Sequence, residues 1–582
     1  MEVELMKRRD FITLTGGAAT LLKGSPPFLK GTKGDWPEFQ LALSQATSRV
    51  DGVLKTQVIA GEDRYRGGFI APTYGFPFPS LNAVELKNLG ALFCHQDSVY
   101  YHHSMLGGRI DLALGWLERE QHPDGTVDLP TTNFHSPPDT AFVVLDLVLF
   151  YRILQQDGSP EAYRWRLRLE KFLHRAATAI TTGGIHTPNH RWVASAALAG
   201  CYSLFHESTW LSRIEAWLGE GIDCNVDGEY NELSNAIYNP ISNRALLTMA
   251  EALDRPELLA PVRRNLTMML YCIHPDGEIV TDYSRRQDKL QRAWPANYYL
   301  HYRVLGAVDG DGRMAAMADR IAEASRRHPE RVPIYGELTE LMLRPELKSD
   351  KIARLPLPDE YKLHFRQSDV VRLCRGKLSA TIVGRSSRFL SVRYGDAVIE
   401  AVRLASAFFG KGQFVGQRIE QEGIAYVLRQ ELEAAYYQPF PPGPNLPQPD
   451  WDRLDRNLRG RSHQCRLRTE VRLTPIERGF ELEVRVEGTD RVPVALELWF
   501  RPGGELKPSP SGRLLEANGS NFLTAGEAHY KVSEAGWVVG PGTDGHRWAS
   551  LRGTEPPLEN ARPVTITGFT PYHHRFKLVA VI

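Results

Sequence analysis

Cysteine is scarce in this chain of 582 residues: Cys94, Cys201, Cys224, Cys272, Cys374 and Cys465 are its six, with no CxxC pair among them. That spacing supports neither a zinc ribbon nor a disulfide-stapled scaffold. Long apolar runs are missing too. No segment reaches the roughly 18 uninterrupted apolar residues that cross a bilayer, so no membrane span is expected. Charge of one sign is not in excess, since 70 basic residues face 69 acidic ones for a formal net charge of +1. A surface field that recruits nucleic acid or anionic membrane is thereby excluded, and any anion must be met by a local site. No P-loop, strand-borne GxGxxG, HExxH helix or G-x-S-x-G elbow occurs in a supporting context, which disfavours nucleotide, zincin and α/β-hydrolase chemistry. What is present is a 42% hydrophobic, 10% aromatic composition, enough for a large core and two or more domains.

Lys7, Arg8, Arg9, Asp10 and Phe11 precede a weakly apolar run that Gly16 and Gly17 interrupt and Pro26 and Pro27 end. This reads as a twin-arginine export signal. Residues 1–30 are therefore a leader, and the mature protein is expected in the periplasm or outside the cell.

Two periods divide the rest. Between residues 36 and 347 apolar residues recur at three and four positions, as in Ile110, Leu114 and Leu117 or Phe142, Leu145 and Leu149, the mark of amphipathic helices. After a Pro-containing linker at 348–360, alternation takes over at 378–383, 389–392, 465–473, 480–486, 492–500 and 576–582, so 361–582 reads as an antiparallel β-sandwich. The turn His122-Pro123-Asp124-Gly125 returns as His274-Pro275-Asp276-Gly277, with Asp227-Gly228 between them. The Asp-Gly pairs stand 103 and 49 residues apart, near multiples of the about fifty residues of a helical hairpin, which points to a ring of six such hairpins.

Four stretches carry candidate chemistry. Asn189 is placed to cap a helix, with His190, Arg191 and Trp192 beside an end that favours anions. From Asp227-Gly228 a helix is expected in which Asn231, Asn235 and Tyr238 share one face. The loop 131–139 holds Asn133, His135 and Asp139. The stretch 281–288 sets Arg285 and Arg286 beside Tyr283, a pair suited to bidentate recognition of a carboxylate or sulfate. Tyr100, Tyr101, Trp192, Tyr283, Trp294, Tyr298 and Tyr299 are candidate sugar platforms, fewer than half of which are expected to serve.

Asn189-His190 opening a small-residue helix, and Asp227-Gly228 followed by Glu232 and Tyr238, resemble in order and spacing the Asn-His pair, Asp-Gly turn, glutamate and catalytic tyrosine of the heparinase II/III-like polysaccharide lyases. The resemblance implies an N-terminal (α/α)6 toroid, an antiparallel β-sandwich and a carbon–oxygen lyase acting on an acidic polysaccharide or oligosaccharide by β-elimination. It implies that Asn189, with His190 or an arginine, neutralises the uronate carboxylate so that the C5 proton can leave. Tyr238 then serves as general acid to the C4 oxygen and as base, His190 as base for the opposite C5 configuration, and Glu232 as an orienting group. Many members carry a histidine-rich segment early in the sandwich. Here residues 401–416 offer Lys411 and Gln413 but no histidine, and neither a metal nor a cofactor is expected.

Two other readings stay open. A hydrolase on the same scaffold would use an acid pair drawn from Asp139, Asp227, Glu232 and Asp282, about 6.5–9.5 Å apart if inverting. A non-catalytic polysaccharide-binding protein would keep the aromatics and the arginine pair.

Overall fold

The computed structural model describes residues 36–60, 64–348, 351–440, 452, 455–559 and 561–582. The proposed export signal lies outside these residues, as does most of the Pro-rich stretch 438–449. The chain divides into two compact units, Met1–Pro358 and Asp359–Ile582.

The first unit is helical: α1 (Pro37–Thr56), α2 (Pro79–Cys94), α3 (Ser104–Glu120), α4 (Pro137–Gln156), α5 (Pro160–Thr182), α6 (Pro188–Phe205), α7 (Thr209–Leu218), α8 (Tyr238–Ala252), α9 (Leu259–Met269), α10 (Tyr299–Asp309), α11 (Gly312–Arg327) and α12 (Leu338–Met342). Five of them open on proline, which lacks the N–H that a first turn leaves unused. Ser136 and Ser159 cap α4 and α5 through their hydroxyls.

Residue type sorts the helices into two rings. In α5, Ala162, Trp165, Leu169, Phe172, Leu173 and Ala176 are buried while Arg164, Leu167, Lys171 and Arg175 face outward, a single apolar stripe. By contrast α6, rich in Ala, Ser and Gly, buries nearly every residue from Asn189 to Cys201, as a helix enclosed on all sides must. Contacts run α2–α4–α6–α8–α10 with α12 returning to α2, while α3, α5, α7, α9 and α11 each pack against the inner helix before them. This is the (α/α) toroid of helical hairpins that the periodicity indicates. A buried charge trio ties the inner ring together, because Asp146 Oδ1 accepts from Lys87 Nζ at 2.9 Å and from Arg244 Nη2 at 2.8 Å. Its members stand on α2, α4 and α8, and removing any one would strand the others.

The Asp-Gly rhythm is a repeated structure. Gly125, Gly228 and Gly277 hold φ of +91°, +105° and +90°, and each donates its N–H to the carbonyl three residues back, that of His122, Asn225 or His274. An outer-helix arginine clasps each turn: Arg175 of α5 on the His122 carbonyl, Arg264 of α9 on that of Cys224, Arg320 of α11 on that of His274. After the first turn comes a small hairpin, β1 (Val127–Leu129) and β2 (Asn133–Ser136).

The second unit is a two-sheet β-sandwich. One sheet runs Glu505–Pro508, Ala528–Val532, Ala535–Gly540, Tyr572–Val581, Gly479–Gly488, Arg461–Ile476, Ala425–Tyr437, Glu420–Glu422. The other runs Arg513–Ala517, Ser520–Ala525, Arg562–Phe569, Pro493–Phe500, Ala397–Ser406, Leu390–Tyr394, Leu378–Val383, Val370–Arg375, Glu360–Phe365. Among the described residues all pairings in the two sheets are antiparallel except that of Ser520–Ala525 with Arg562–Phe569. Period-two alternation builds the core: Phe480, Leu482, Val484 and Val486 point in, and Glu481, Glu483, Arg485 and Glu487 are less buried or exposed.

The expected helix from Asp227-Gly228 through Tyr238 does not form. Residues 229–237 are turns and irregular backbone, with Tyr230 bridged to Cys224 and Leu233 at φ +50°, and α8 begins only at Tyr238. Side chains have captured the backbone N–H groups that a helix would use, Asp288 taking that of Ala236 and Ser284 that of Asn235.

Candidate active site

Three segments of the toroid converge through one carboxylate. Glu232, 4% exposed, accepts the backbone N–H of Asn189 on Oε1 at 3.2 Å. Its Oε2 faces Arg286 Nε at 3.4 Å. Arg286 in turn donates from Nη2 to the Tyr238 hydroxyl at 3.4 Å, and its Cζ stands 4.8 Å from the Tyr238 ring centroid. Thus the start of α6, the turn before α8 and the loop after the third Asp-Gly turn form one cluster. Burial works against the Arg286 charge, but the Tyr238 hydroxyl, Glu232 and Asp288 outweigh it and raise its pKa.

Asn189 is the second residue of α6 and not its cap; Thr187 holds that place, with Pro188 at the first turn. The Thr187 hydroxyl donates to Asn189 Oδ1 at 3.0 Å, which leaves the amide nitrogen Nδ2. That nitrogen is buried with no hydrogen-bond partner, in a residue 1% exposed. A buried donor left unpaired costs about 1–3 kcal/mol. His190 follows it, its ring edge-on to Phe142 at 6.2 Å and to His186 at 4.7 Å.

The backbone under Tyr238 is fixed from outside its own segment. Asp288 accepts from the hydroxyls of Ser234 and Ser284 and from the Ala236 N–H, and Ser234 Oγ accepts the Tyr238 N–H at 3.2 Å. Arg285 N–H reaches the Leu233 carbonyl at 2.7 Å, and Tyr298 donates its hydroxyl to the Asn235 carbonyl at 2.6 Å. Asp288 and Ser234 were not singled out from sequence. The one available signal was the polar density of 281–288, in which Asp288 is the last residue.

Other expected site residues stand elsewhere. The Arg285 side chain is exposed and outside the cluster. Trp192 is fully buried with its indole N–H on Asp223 at 2.7 Å, which corrects its reading as a sugar platform. Tyr283 is corrected likewise: it is buried, with its hydroxyl hydrogen-bonded to Cys272 Sγ at 3.2 Å, and burial pushes its pKa well up. Tyr298 and Tyr299 are also core. Tyr101 is exposed and Tyr100 half-buried, while Trp294 is flanked by Arg292 and Arg331.

The first hairpin has its own network. Asn133 Nδ2 donates to Asp139 Oδ2 at 2.8 Å, as does the Ser136 hydroxyl at 2.6 Å. Asp139 therefore closes the capping arrangement of α4. His135 stacks on His122 at 3.9 Å, and each imidazole meets a carboxylate, that of Asp124 or Asp128. Hydrogen bonds from Thr126, then from His135, hold the Asp124 carboxyl well below its ordinary range. Among the described residues no group of three or more His, Cys, Asp or Glu side chains is arranged to hold a metal ion, and no helix is long and apolar enough to cross a membrane.

No family model matches the sequence, and no curated protein sequence does. Solved structures do match in three dimensions. A xanthan lyase from Paenibacillus superposes with a TM-score of 0.55 at 11% identity, over 94% of this chain and 57% of that one. The chondroitin AC lyase of Streptomyces coelicolor A3, solved with chondroitin sulphate, gives 0.54 at 12% identity over 95% and 80%. A chondroitinase AC lyase studied with bound oligosaccharides gives 0.51 at 10% over 94% and 82%. The chain thus spans a little over half the length of the xanthan lyase and about four-fifths of the other two. Its fold, a helical-hairpin toroid followed by an antiparallel β-sandwich, is the fold of these polysaccharide lyases.

Proposed function

We propose that this chain is an exported polysaccharide lyase that cleaves a uronic-acid-containing polymer by β-elimination, leaving an unsaturated uronyl end. The observation that carries the reading is the unpartnered, buried Asn189 amide, joined through Glu232 and Arg286 to the Tyr238 hydroxyl. β-Elimination needs two things at one place. A donor must take up charge on the uronate carboxylate as the C5 proton departs, and a proton must reach the C4 oxygen as its bond breaks. Asn189 supplies the first, with His190 beside it. Tyr238 supplies the second: its oxygen, as an anion that Arg286 supports, takes the C5 proton and passes it to the departing C4 oxygen. His190 is the base for a uronate of opposite C5 configuration. Glu232 orients both partners and spends both oxygens doing so.

The twin-arginine motif supports export, and the likeness to lyases of xanthan and chondroitin supports the substrate class. Hydrolysis has less support, since Asp139 Oδ2 already accepts from two side chains and sits in a helix cap.

The test is to incubate the purified protein with chondroitin sulfate, xanthan, hyaluronan and alginate and to follow the ultraviolet absorbance of the conjugated product. A rise that vanishes in Tyr238→Phe supports the reading. Sugar release without absorbance, lost in Asp139→Asn or Glu232→Gln, overturns it in favour of hydrolysis.

A further inference from the structure

We propose that the β-sandwich carries a second, non-catalytic surface for acidic polysaccharide, at the end where strands Ala425–Tyr437 and Arg461–Ile476 run past the core; the choice of ligand rests on the function proposed above. Along Ala425–Tyr437 the residues Leu428, Leu432 and Ala434 pack on the core. Tyr436 continues their face but is 60% exposed. Phe409, on the loop after Ala397–Ser406 of the other sheet and 42% exposed, meets it edge to face at 5.5 Å. His463, bulged at φ +49°, lies 6.2 Å from Tyr436. Tyr437, on the opposite face and 62% exposed, has Arg461 Cζ 5.9 Å from its ring centroid. Large apolar groups left in water normally stand singly, and a contiguous set such as Phe409 with Tyr436 marks a binding surface. Rings with an apolar face and a polar edge suit the C–H faces and hydroxyls of sugars.

Charge selects the sugar. Farther along the same two strands the cations are matched by carboxylates, Arg466 by Glu433 at 2.9 Å, Arg468 by Glu431 at 3.0 Å, and Arg429 by Glu420, Glu422 and Glu470. At the aromatic end the matching stops. Arg461 has no ion pair among the described residues, and the Lys411 ammonium donates to a backbone carbonyl, that of Glu433, at 2.9 Å. Uncompensated positive charge beside exposed rings suits a polymer of anionic sugars better than a neutral one.

The test uses native electrophoresis of the full chain through gels containing chondroitin sulfate, xanthan or neutral dextran, in a Tyr238→Phe background so that nothing is cleaved. Retardation by an acidic polymer is expected. The Phe409→Ala/Tyr436→Ala/Tyr437→Ala variant should weaken it at least fivefold, and Lys411→Gln/Arg461→Gln by a similar factor that shrinks with added salt. In the active chain, KM for polymer should rise while the rate on a short oligosaccharide stays within twofold. Should the triple variant melt early, Tyr436→Ala alone decides. Unchanged retardation, equal retardation by dextran, or a variant that instead loses a dimer seen by light scattering overturns the proposal. Retardation without any cleavage by the unmodified chain overturns the lyase reading and leaves this surface standing; cleavage without retardation does the reverse.

Discussion

Arg286 and Tyr238 meet twice, once as a guanidinium donating to the phenol oxygen at 3.4 Å and once as a cation 4.8 Å from the ring centroid. Either contact alone is common on protein surfaces. Together they fix both the position of the hydroxyl and the plane of the ring, with Glu232 locking the arginine from behind.

Tyr238→Phe keeps the ring and removes the proton. Turnover is expected to fall by about 10²–10⁴, the usual worth of a positioned acid or base, with KM nearly unchanged. The ultraviolet assay measures both, and a variant with more than a tenth of the original turnover would remove Tyr238 from the chemistry.

Asn189→Asp replaces the unpaired donor with a second carboxylate. Its kcat/KM should fall by about 10²–10³ and by more than in Asn189→Ala, because the aspartate repels the uronate as well as failing to bind it. Steady-state kinetics of the two variants side by side give the order. The reverse order would show that the amide does not meet an anion.

Asp139→Asn should behave as a structural change. Losing the charge at the α4 cap lowers stability by about 1 kcal/mol, while turnover stays within about tenfold of the original. Thermal melts and the ultraviolet assay together distinguish this from the collapse of activity that a catalytic acid would show.

The three repeated turns tolerate a methyl group unequally. A Cβ on Gly125 or Gly228 would sit 2.2 or 2.3 Å from the carbonyl oxygen of Arg175 or Arg264, whereas at Gly277 it meets nothing within 4 Å. Gly277→Ala should therefore cost only the left-handed backbone penalty of about 1 kcal/mol. Gly228→Ala and Gly125→Ala should cost at least about twice that and lower the melting temperature correspondingly.

Stability should bend at both ends of the pH range. Burial, then the nearby Arg244, pushes the His301 pKa from 6.5 down to about 3. Its contribution is whole above the ordinary histidine value and is lost as pH falls, by about 2 kcal/mol between pH 6.5 and pH 5. Glu337 is opposite: burial and Glu340 raise it from 4.5 to about 8, so its contribution is whole below the ordinary carboxyl value and is lost as pH rises through about 8. Melting temperatures from about pH 5 to about pH 9 should show a flatter acid limb in His301→Leu and a flatter alkaline limb in Glu337→Gln. Parallel curves would acquit both groups.

The fold was legible because each half keeps one period for long stretches, and the strands expected at 378–383 and 480–486 coincide with, or fall inside, observed ones. Periodicity failed where side chains compete for the backbone. Residues 229–237 read as a helix because Asn231, Asn235 and Tyr238 are correctly spaced for one, yet the donors there are taken by Asp288 and Ser284, some fifty residues away in sequence. No local rule registers a partner at that distance. Trp192 and Tyr283 misled for a related reason. A ring's exposure depends on what packs over it, and for Trp192 that includes Asp223, from the segment after the next helix. Within the candidate site the residues Asn189, Glu232, Arg286 and Tyr238 were all nameable from sequence. The joining role of Glu232 was not, since it depends on which oxygen faces which donor.

Each Asp-Gly turn is fastened to its own outer helix by an arginine, so the loop beyond it is anchored at its root whatever its sequence. The second and third loops are tied to one another through Asp288 and the Leu233 carbonyl. The first is tied within itself through Asp124 and Asp128 and to α4 through Asp139 and Thr140. Exchanges at the exposed tip residues Thr131, Thr132 and Phe134 therefore leave both the Asp139 network and the ring beneath it intact, whereas exchanges at buried Val127, Leu129 or Ser136 reach through the hairpin into α4.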